Sequence, residues 1–325
     1  MTTERTGAVR RLLRKLPEGW RWRWHRHRNQ VNEVARAEGW ATYARWIAQR
    51  TAMWLAAQLA ARTYYVRLSP AQARAHRRSD TVFIFGSGYS LNDLGPDEWR
   101  HFAEHDVFGF AGFVYQQWVR VDFNLLRSWD PTLAAIHRWP TSTRHFADLH
   151  CSNPRFRDAV LIVQNEHSGI FGNTLVGLRM LPRGSRLLGY WTARRLRDDP
   201  TERWRDGITH GQGALVNAVN VAYLLGWKNI VLVGVDLYDN RYFWGPPDAS
   251  IQFGDDGRLN ATMPTQDHGA RWDEPHLTAR RGVVELLGRW RDRFARDGVR
   301  LSVYNPRSLL THTLPVYERP AMVVR

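Results

Sequence analysis

Several short stretches of this chain carry residue types that could do chemistry. Phe85-Gly86-Ser87-Gly88-Tyr89-Ser90 sets two glycines and three hydroxyls directly behind an apolar run. Glycines let a backbone approach a phosphate, and free amides at such a turn favour negative charge. The third glycine of a dinucleotide fingerprint is absent, and so is the Gly-Lys-Ser/Thr of a Walker A loop. A plain tight turn between strand and helix is the competing explanation. Asp236-Leu237-Tyr238 ends a second apolar run, Ile230–Val235. An acid there could bind a metal or a hydroxyl, or cap its own loop. Tyr238 and Tyr242 are phenols that could donate to a phosphate and steady a leaving group; aromatic loop packing is the alternative. In Glu274-Pro275-His276-Leu277-Thr278 a histidine stands at the start of a helical pattern, where it could serve as a general base for a hydroxyl.

Other candidates carry less. None of the 13 histidines forms HExxH. His101 and His105 have the i, i+4 spacing that can hold zinc on a helix. They precede a strand, so they belong at the end of the sheet away from ligands, where a solvated helix face is the ordinary explanation. Asp248, Asp255, Asp256 and Asp267 fall in a Gly/Pro/Asp-rich stretch that reads as an acceptor loop or lid over about 239–275, or as a surface excursion.

These residues need a frame. Thr81–Phe85, Val107–Phe110, Val121–Leu126, Ala159–Val163, Ile230–Val235 and Val299–Tyr304 read as buried strands. Gly211–Leu225 and Leu277–Phe294 read as helices, the second with Val283, Leu287, Trp290 and Phe294 on one face. Alternating strands and helices predict an α/β Rossmann-like fold, a mostly parallel sheet with helices on both faces. In such sheets ligands bind at the C-terminal strand ends. That rule nominates Gly86–Ser90, Gly109–Phe113, Arg127–Asp130, Gln164–His167 and Asp236–Trp244.

Charge separates the chain into two parts. Residues 1–78 hold 17 Lys and Arg against 4 Asp and Glu, and the remaining 247 residues hold 29 against 27. Of the net charge of +15, +13 therefore belongs to the N-terminal part, which weakens a nucleic-acid reading of the whole chain. Residues 8–78 read as a basic helical extension. They include the tract Trp20-Arg21-Trp22-Arg23-Trp24 and a longer helix over 31–65, where Trp46, Met53, Trp54, Leu55 and Leu59 alternate with Arg45, Arg50 and Arg62. Basic residues among Trp and Leu suit an interfacial helix on anionic lipid; packing on the catalytic domain or a second subunit is the alternative. Pro70–Asp80 reads as a linker, so the expected domains are 1–78 and 79–325. A single cysteine, Cys151, rules out internal disulfides and suits a reducing cytoplasm. No signal peptide or membrane-spanning run is apparent.

With these residues in view, the chain resembles a family. Val82–Leu94 looks like the family's strand followed by Gly-Asn-Gly-Pro-Ser-Leu, and Asp106–Phe113 like its second-strand segment. Leu225-Gly-Trp-Lys-Asn-Ile-Val-Leu-Val-Gly-Val-Asp-Leu-Tyr238 is close to its Leu-Gly-Tyr-Lys-x-Ile-x-Leu-x-Gly-Ile-Asp-Phe-Tyr. Tyr304–Leu310 and Leu314-Pro315 also fit. The family is the bacterial CMP-sialic acid-dependent sialyltransferases of lipooligosaccharide synthesis. The chain is also similar to the flagellin-modification glycosyltransferases and the archaeal hydroxymethylpterin pyrophosphokinases.

The resemblance implies a metal-independent, inverting glycosyltransferase with no cofactor beyond its nucleotide-sugar substrate. His276 would be the general base, and Tyr238 and Tyr242 would contact the donor phosphate. Gly86, Ser87, Gly88 and Ser90 would line the nucleotide site, with Tyr89, Ala111 and Asp236 beside them. Ser87 stands for the family's Asn, Tyr89 for its Pro and Ala111 for a donor-contacting Asn, so a different CMP-linked acidic sugar or another nucleotide sugar is also expected. No equivalent of the family's phosphate-contacting Arg is evident; Thr209-His210-Gly211-Gln212 occupies that neighbourhood. The expected partners are a nucleotide sugar, a glycan or glycolipid acceptor, an anionic membrane surface reached through residues 8–78, and a second copy of the chain; nucleic acid is not among them. The expected location is the cytoplasm, at the inner face of the membrane. Two other readings remain open: a pterin pyrophosphokinase-like Mg-ATP enzyme with carboxylates at the strand ends, and a non-catalytic scaffold.

Overall fold

A computed structural model describes residue 35 and residues 39–126, 133–167, 169–193, 199–209, 213–238, 241–245, 252–253, 259–260 and 275–319. The expectations for residues 1–34, Arg127–Asp130, His210–Gln212 and Glu274, and for the loop acids Asp248, Asp255, Asp256 and Asp267, lie outside them.

The apolar runs form one eight-stranded sheet in the order β1-β6-β5-β4-β3-β2-β7-β10, and every neighbouring pair is parallel. The strands are β1 (Val66–Leu68), β2 (Thr81–Phe85), β3 (Asp106–Phe110), β4 (Phe123–Leu126), β5 (Val160–Gln164), β6 (Arg186–Tyr190), β7 (Asn229–Val233) and β10 (Arg300–Val303). A small antiparallel pair, β8 (Gln252–Phe253) and β9 (Leu259–Asn260), stands apart.

Strand residues alternate between two buried faces, as the two-residue period requires. Val82, Ile84, Ile230, Leu232 and Leu301 face one layer, which holds the helices Ala214–Leu225 and Val283–Arg296. Phe83, Phe85, Leu161, Val163, Val231 and Val233 face the other. That layer holds the helices Trp40–Thr63, Pro96–Ala103, Leu133–Ser152 and Ile170–Gly177. This is the Rossmann-like α/β architecture. The chain runs from β2 outward through β3 and β4 on one side and places β7 and β10 on the other, so the strand order reverses between β2 and β7. Ligand crevices open at such a reversal.

The N-terminal part joins this body. Val66–Leu68 pairs with β6 as the edge strand. The expected linker over Pro70–Asp80 contains the helix Pro70–Arg74, closed by a Ser69/Gln72 capping box. Arg74 and Arg77 donate to the carbonyl of Leu225, and Arg78 pairs with Asp122 at 2.8 Å. A boundary at residue 78 therefore does not separate two bodies.

The long helix Trp40–Thr63 lies against Ile170–Gly177, burying Tyr43, Trp46, Arg50, Ala57 and Ala60. It presents Trp40, Leu55 and Leu59 outward. No described helix is long and apolar enough to cross a membrane. The helix expected over Leu277–Phe294 is two helices, Leu277–Arg280 and Val283–Arg296. Gly282, at φ +83, takes the left-handed conformation between them.

His150 is buried on the helix Leu133–Ser152, stacked on Phe146 and edge-on to Phe156. Its Nδ1 has no partner among the described residues. Burial holds its pKa down to about 4, against 6.5 for the free side chain. Between those two values the unfolded chain binds the proton and the folded one does not, so stability is full above the unfolded pKa and falls with acidification. The loss on going from about pH 7 to below pH 4 is on the order of 3 kcal/mol. Urea denaturation across that window should show it, and His150→Leu should flatten that part of the profile. An unchanged profile in the variant would remove His150 as its source.

Candidate functional site

At the reversal point, the turn after β2 lies against the end of β7. Gly86 N–H donates to Val233 O and Gly88 N–H to Gly234 O, each at 2.8 Å. A Cβ on Gly86 would stand 2.5 Å from Gly234 O, and one on Gly88 would stand 2.4 Å from the Asp236 carboxylate. Both glycines are thus demanded by close packing between two strand ends, whatever ligand the turn takes. Ser90 is buried, and its N–H and hydroxyl both donate to Asp236. Of the turn's amides, that of Ser87 makes no hydrogen bond among the described residues, while that of Tyr89 faces Arg241 O across the antiparallel bridge between Gly88 and Tyr242. Ser87 and Tyr89 are both half-buried.

Asp236 is itself buried. Oδ2 accepts from Ser90 N–H at 2.9 Å, and Oδ1 accepts from the Ser90 hydroxyl and from Asn305 Nδ2 at 2.9 Å. Leu309 N–H donates to its carbonyl, and the Ser308 hydroxyl donates to Val235 O. Three donors on one carboxylate make Asp236 the fastening between β2, β7 and the segment after β10. It was expected beside the donor; the structure gives its oxygens to the protein.

Leu237 follows at φ 63, left-handed for a residue with a branched side chain. That conformation costs about 1–2 kcal/mol and marks a site where the surroundings overrule local preference. It buries the Leu237 side chain in the core and points its carbonyl at His276 N–H, at 2.9 Å. The His276 ring sits at the N-cap of Leu277–Arg280, where Nδ1 accepts from Thr278 N–H at 3.1 Å. A neutral ring held this way carries its proton on Nε2 and is a hydrogen-bond donor on that side. To accept a proton, which only Nδ1 can do, the ring must release the Thr278 amide. Its placement joins the strand end carrying Tyr238 to the start of the next helix.

Residues 241–245 lie along the turn. Gly88 and Tyr242 form an antiparallel bridge, Phe243 N–H donates to Ser87 O, and Asn92 Nδ2 donates to Phe243 O. Tyr242 stacks on Trp244 at 4.8 Å between centroids, and burial pushes its phenol pKa up, so it stays a donor. Trp244 packs over Gly112, where a Cβ would fall 1.9 Å from the indole. This strap therefore spans from the β2 turn to the turn after β3, which Ala111 opens.

Two arginines border the crevice. The Arg241 guanidinium lies 4.4 Å over the Tyr89 ring, a cation–π contact. Arg307 pairs with Asp93 and lies close enough to Tyr238 and Asp236 to feel both. Neither arginine was singled out from the sequence, although extending the strand-end rule to the last strand would have reached Arg307. Tyr115 and His145 were missed too: the Tyr115 hydroxyl meets His145 Nε2 at 3.2 Å, and the Tyr115 ring lies 5.0 Å from Trp244.

The strand end Gln164–His167, also nominated, is plugged by the long N-terminal helix. Arg50 donates to His167 O, Thr51 meets His167 Nε2 at 3.0 Å, and Trp54 donates to Asn165 O. Glu166 accepts from Gln164 and Thr192. The residues brought together are thus Gly86–Ser90, Asp236–Tyr238, Tyr242 and His276, with Arg241 and Arg307. Among the described residues, no cluster of three metal-ligating side chains gathers at these strand ends.

No family model and no curated protein matches the chain. Among solved structures it is similar to a MAf glycosyltransferase from Magnetospirillum magneticum AMB-1, with 18% identity and a TM-score of 0.42. The alignment covers 82% of this chain and 38% of that one, so this chain spans well under half of that protein's length.

Proposed function

We propose that the chain is a glycosyltransferase that moves an acidic, sialic acid-like sugar from a CMP-activated donor to a hydroxyl of a surface-glycan or lipid-linked acceptor. The observation that carries this reading is the crevice at the β2/β7 reversal. The spare amide of Ser87, two arginines, Arg241 and Arg307, and the His276 ring all gather around one strand-end opening. That set suits an anionic phosphate ester. The sequence blocks at Val82–Leu94 and Leu225–Tyr238 supply the sialyltransferase-like choice of donor.

In the reaction, the acceptor oxygen attacks the anomeric carbon as the bond from that carbon to the phosphate oxygen breaks. CMP leaves with the electron pair. The acceptor proton passes to His276 Nδ1 once the ring has released Thr278 N–H, leaving an imidazolium that keeps its Nε2 proton. Attack from the face opposite CMP inverts the centre. Tyr238, Tyr242, Arg307 and the Ser87 amide hold the charge that grows on the phosphate. No step calls for a metal ion or cofactor. Asp236, with three internal donors, suits a structural role better than the magnesium-binding role a pyrophosphokinase would give it. Peripheral attachment to an anionic bilayer through the N-terminal part belongs to the same proposal, with Trp40, Leu55 and Leu59 as its exposed apolar residues.

Chromatographic assay of free CMP from CMP-linked acidic sugars, with a glycan acceptor and with EDTA present, tests this. Acceptor-dependent release of CMP is the expected outcome. Magnesium-dependent consumption of ATP, with no CMP release, would replace it with the pyrophosphokinase reading.

A further inference from the structure

At the other end of the central strands, just before β3, lies a cluster that the transfer reaction does not use. His101 stands in the last turn of the helix Pro96–Ala103, Glu104 is its C-cap, and His105 follows directly before β3. The histidine pair was expected on a solvated face. The structure instead buries His101 to 5% exposure. It packs both rings on Phe83, at 5.4 and 5.6 Å between centroids.

We propose that His101, Glu104 and His105 form a binding site for a divalent transition metal of the zinc type. One nitrogen from each histidine and one Glu104 oxygen lie within 4.8 Å of one another. His101 Nδ1 is 3.7 Å from Glu104 Oε2. The two imidazole centroids are 5.2 Å apart and nearly perpendicular, at 81°. Two imidazoles sharing a tetrahedral ion at Zn–N of about 2.0–2.1 Å have centroids ~5 Å apart. Closing the ligand atoms onto an ion takes side-chain rotations, and Glu104, which is exposed, has room for its share of them.

Three further observations point to a ligand. His105 Nδ1 is buried and has no partner among the described residues, a deficit that a metal bond would remove. His101 Nε2 meets the Tyr317 hydroxyl at 3.2 Å. That is the second-sphere hydrogen bond that orients a ligating imidazole through its other nitrogen. The site also lies at the C-terminus of the helix Pro96–Ala103, the end whose dipole favours a cation, with its last carbonyls taken by Glu104 N–H, His105 N–H and Arg78.

Arg319 near His101 and Arg78 near His105 oppose a cation, and Glu104 and Asp106 offset them. With three protein ligands, the fourth position goes to water. The ion would pin the helix end to the segment carrying Tyr317, remote from the crevice. This inference is independent of the transfer reading.

Titration of Zn²⁺ into metal-stripped, full-length protein near neutral pH, followed by calorimetry and by thermal unfolding, tests it. One saturable site is expected, with a rise in Tm. Glu104→Gln alters an exposed side chain and leaves the fold intact; it should weaken binding by at least ~10-fold, and His105→Gln by more. His105→Gln should also lose the rise in Tm. Absence of saturable binding would overturn the proposal, and so would an affinity unchanged in both variants, which would place the ion on other histidines.

Discussion

Asp236→Ala is expected to destabilise the protein by roughly 3–5 kcal/mol, because it strands three buried donors at once. Ser90 N–H, the Ser90 hydroxyl and Asn305 Nδ2 all end on that carboxylate, and water does not reach a residue 3% exposed. The loss corresponds to a fall in Tm of roughly 6–12 °C for a domain of this size. Nucleotide binding should disappear as well, since the β2 turn and the segment bearing Arg307 are both anchored there. Gly88→Ala should act in the same direction by driving a methyl into the carboxylate. Chemical denaturation of the two variants checks both effects. If Asp236 were instead a carboxylate held ready for a metal, its removal would leave stability unchanged or raised, and that result would discard the structural role given to it here.

His276 should show the largest effect on turnover. His276→Ala is expected to lower acceptor-dependent CMP release by about 10²–10⁴-fold, the ordinary contribution of a positioned proton acceptor. It also removes a helix cap, worth about 1 kcal/mol. His276→Asn separates the two roles, because Asn caps well but has no basic nitrogen. Loss of turnover with retained stability in His276→Asn supports proton transfer. Retained turnover in His276→Asn would reduce His276 to the cap that its hydrogen bond from Thr278 already makes it.

Much of the frame was legible in the sequence because central parallel strands are buried on both faces and read as unbroken apolar runs. Six strands keep enough of that pattern to be read, although Val121–Leu126 holds Asp122 and Asn124 and Val299–Tyr304 holds Arg300 and Ser302. The two others do not: Val66–Leu68 is three residues long with an arginine in the middle, and Arg186–Tyr190 opens on an arginine and contains a glycine. Losing β1 is what turned residues 66–78 into an extension on paper. In the N-terminal helix, Trp46 and Arg50 look alike for a lipid surface and for a protein surface. Only the docking of Arg50, Thr51 and Trp54 on Asn165 and His167 tells them apart, and a contact across more than 100 residues leaves no local trace.

The site was half legible for a similar reason. Glycines at Gly86 and Gly88 flag a close approach, and the strand-end rule supplies Asp236 and Tyr238. What the glycines approach is Gly234 and Asp236, and sequence gives no sign that the acid is spoken for. The left-handed Leu237 and the arrival of Arg307 from the far end of the chain are tertiary effects. A leucine carries no mark of its backbone angle.

The most direct test that the β2/β7 crevice takes a nucleotide is calorimetric titration of CMP into the full-length protein and its Arg307→Ala variant. Binding at one site per chain, weakened in the variant, is the expected result. No heat from CMP, CDP, UDP, GDP or ATP, with or without Mg²⁺, would contradict it.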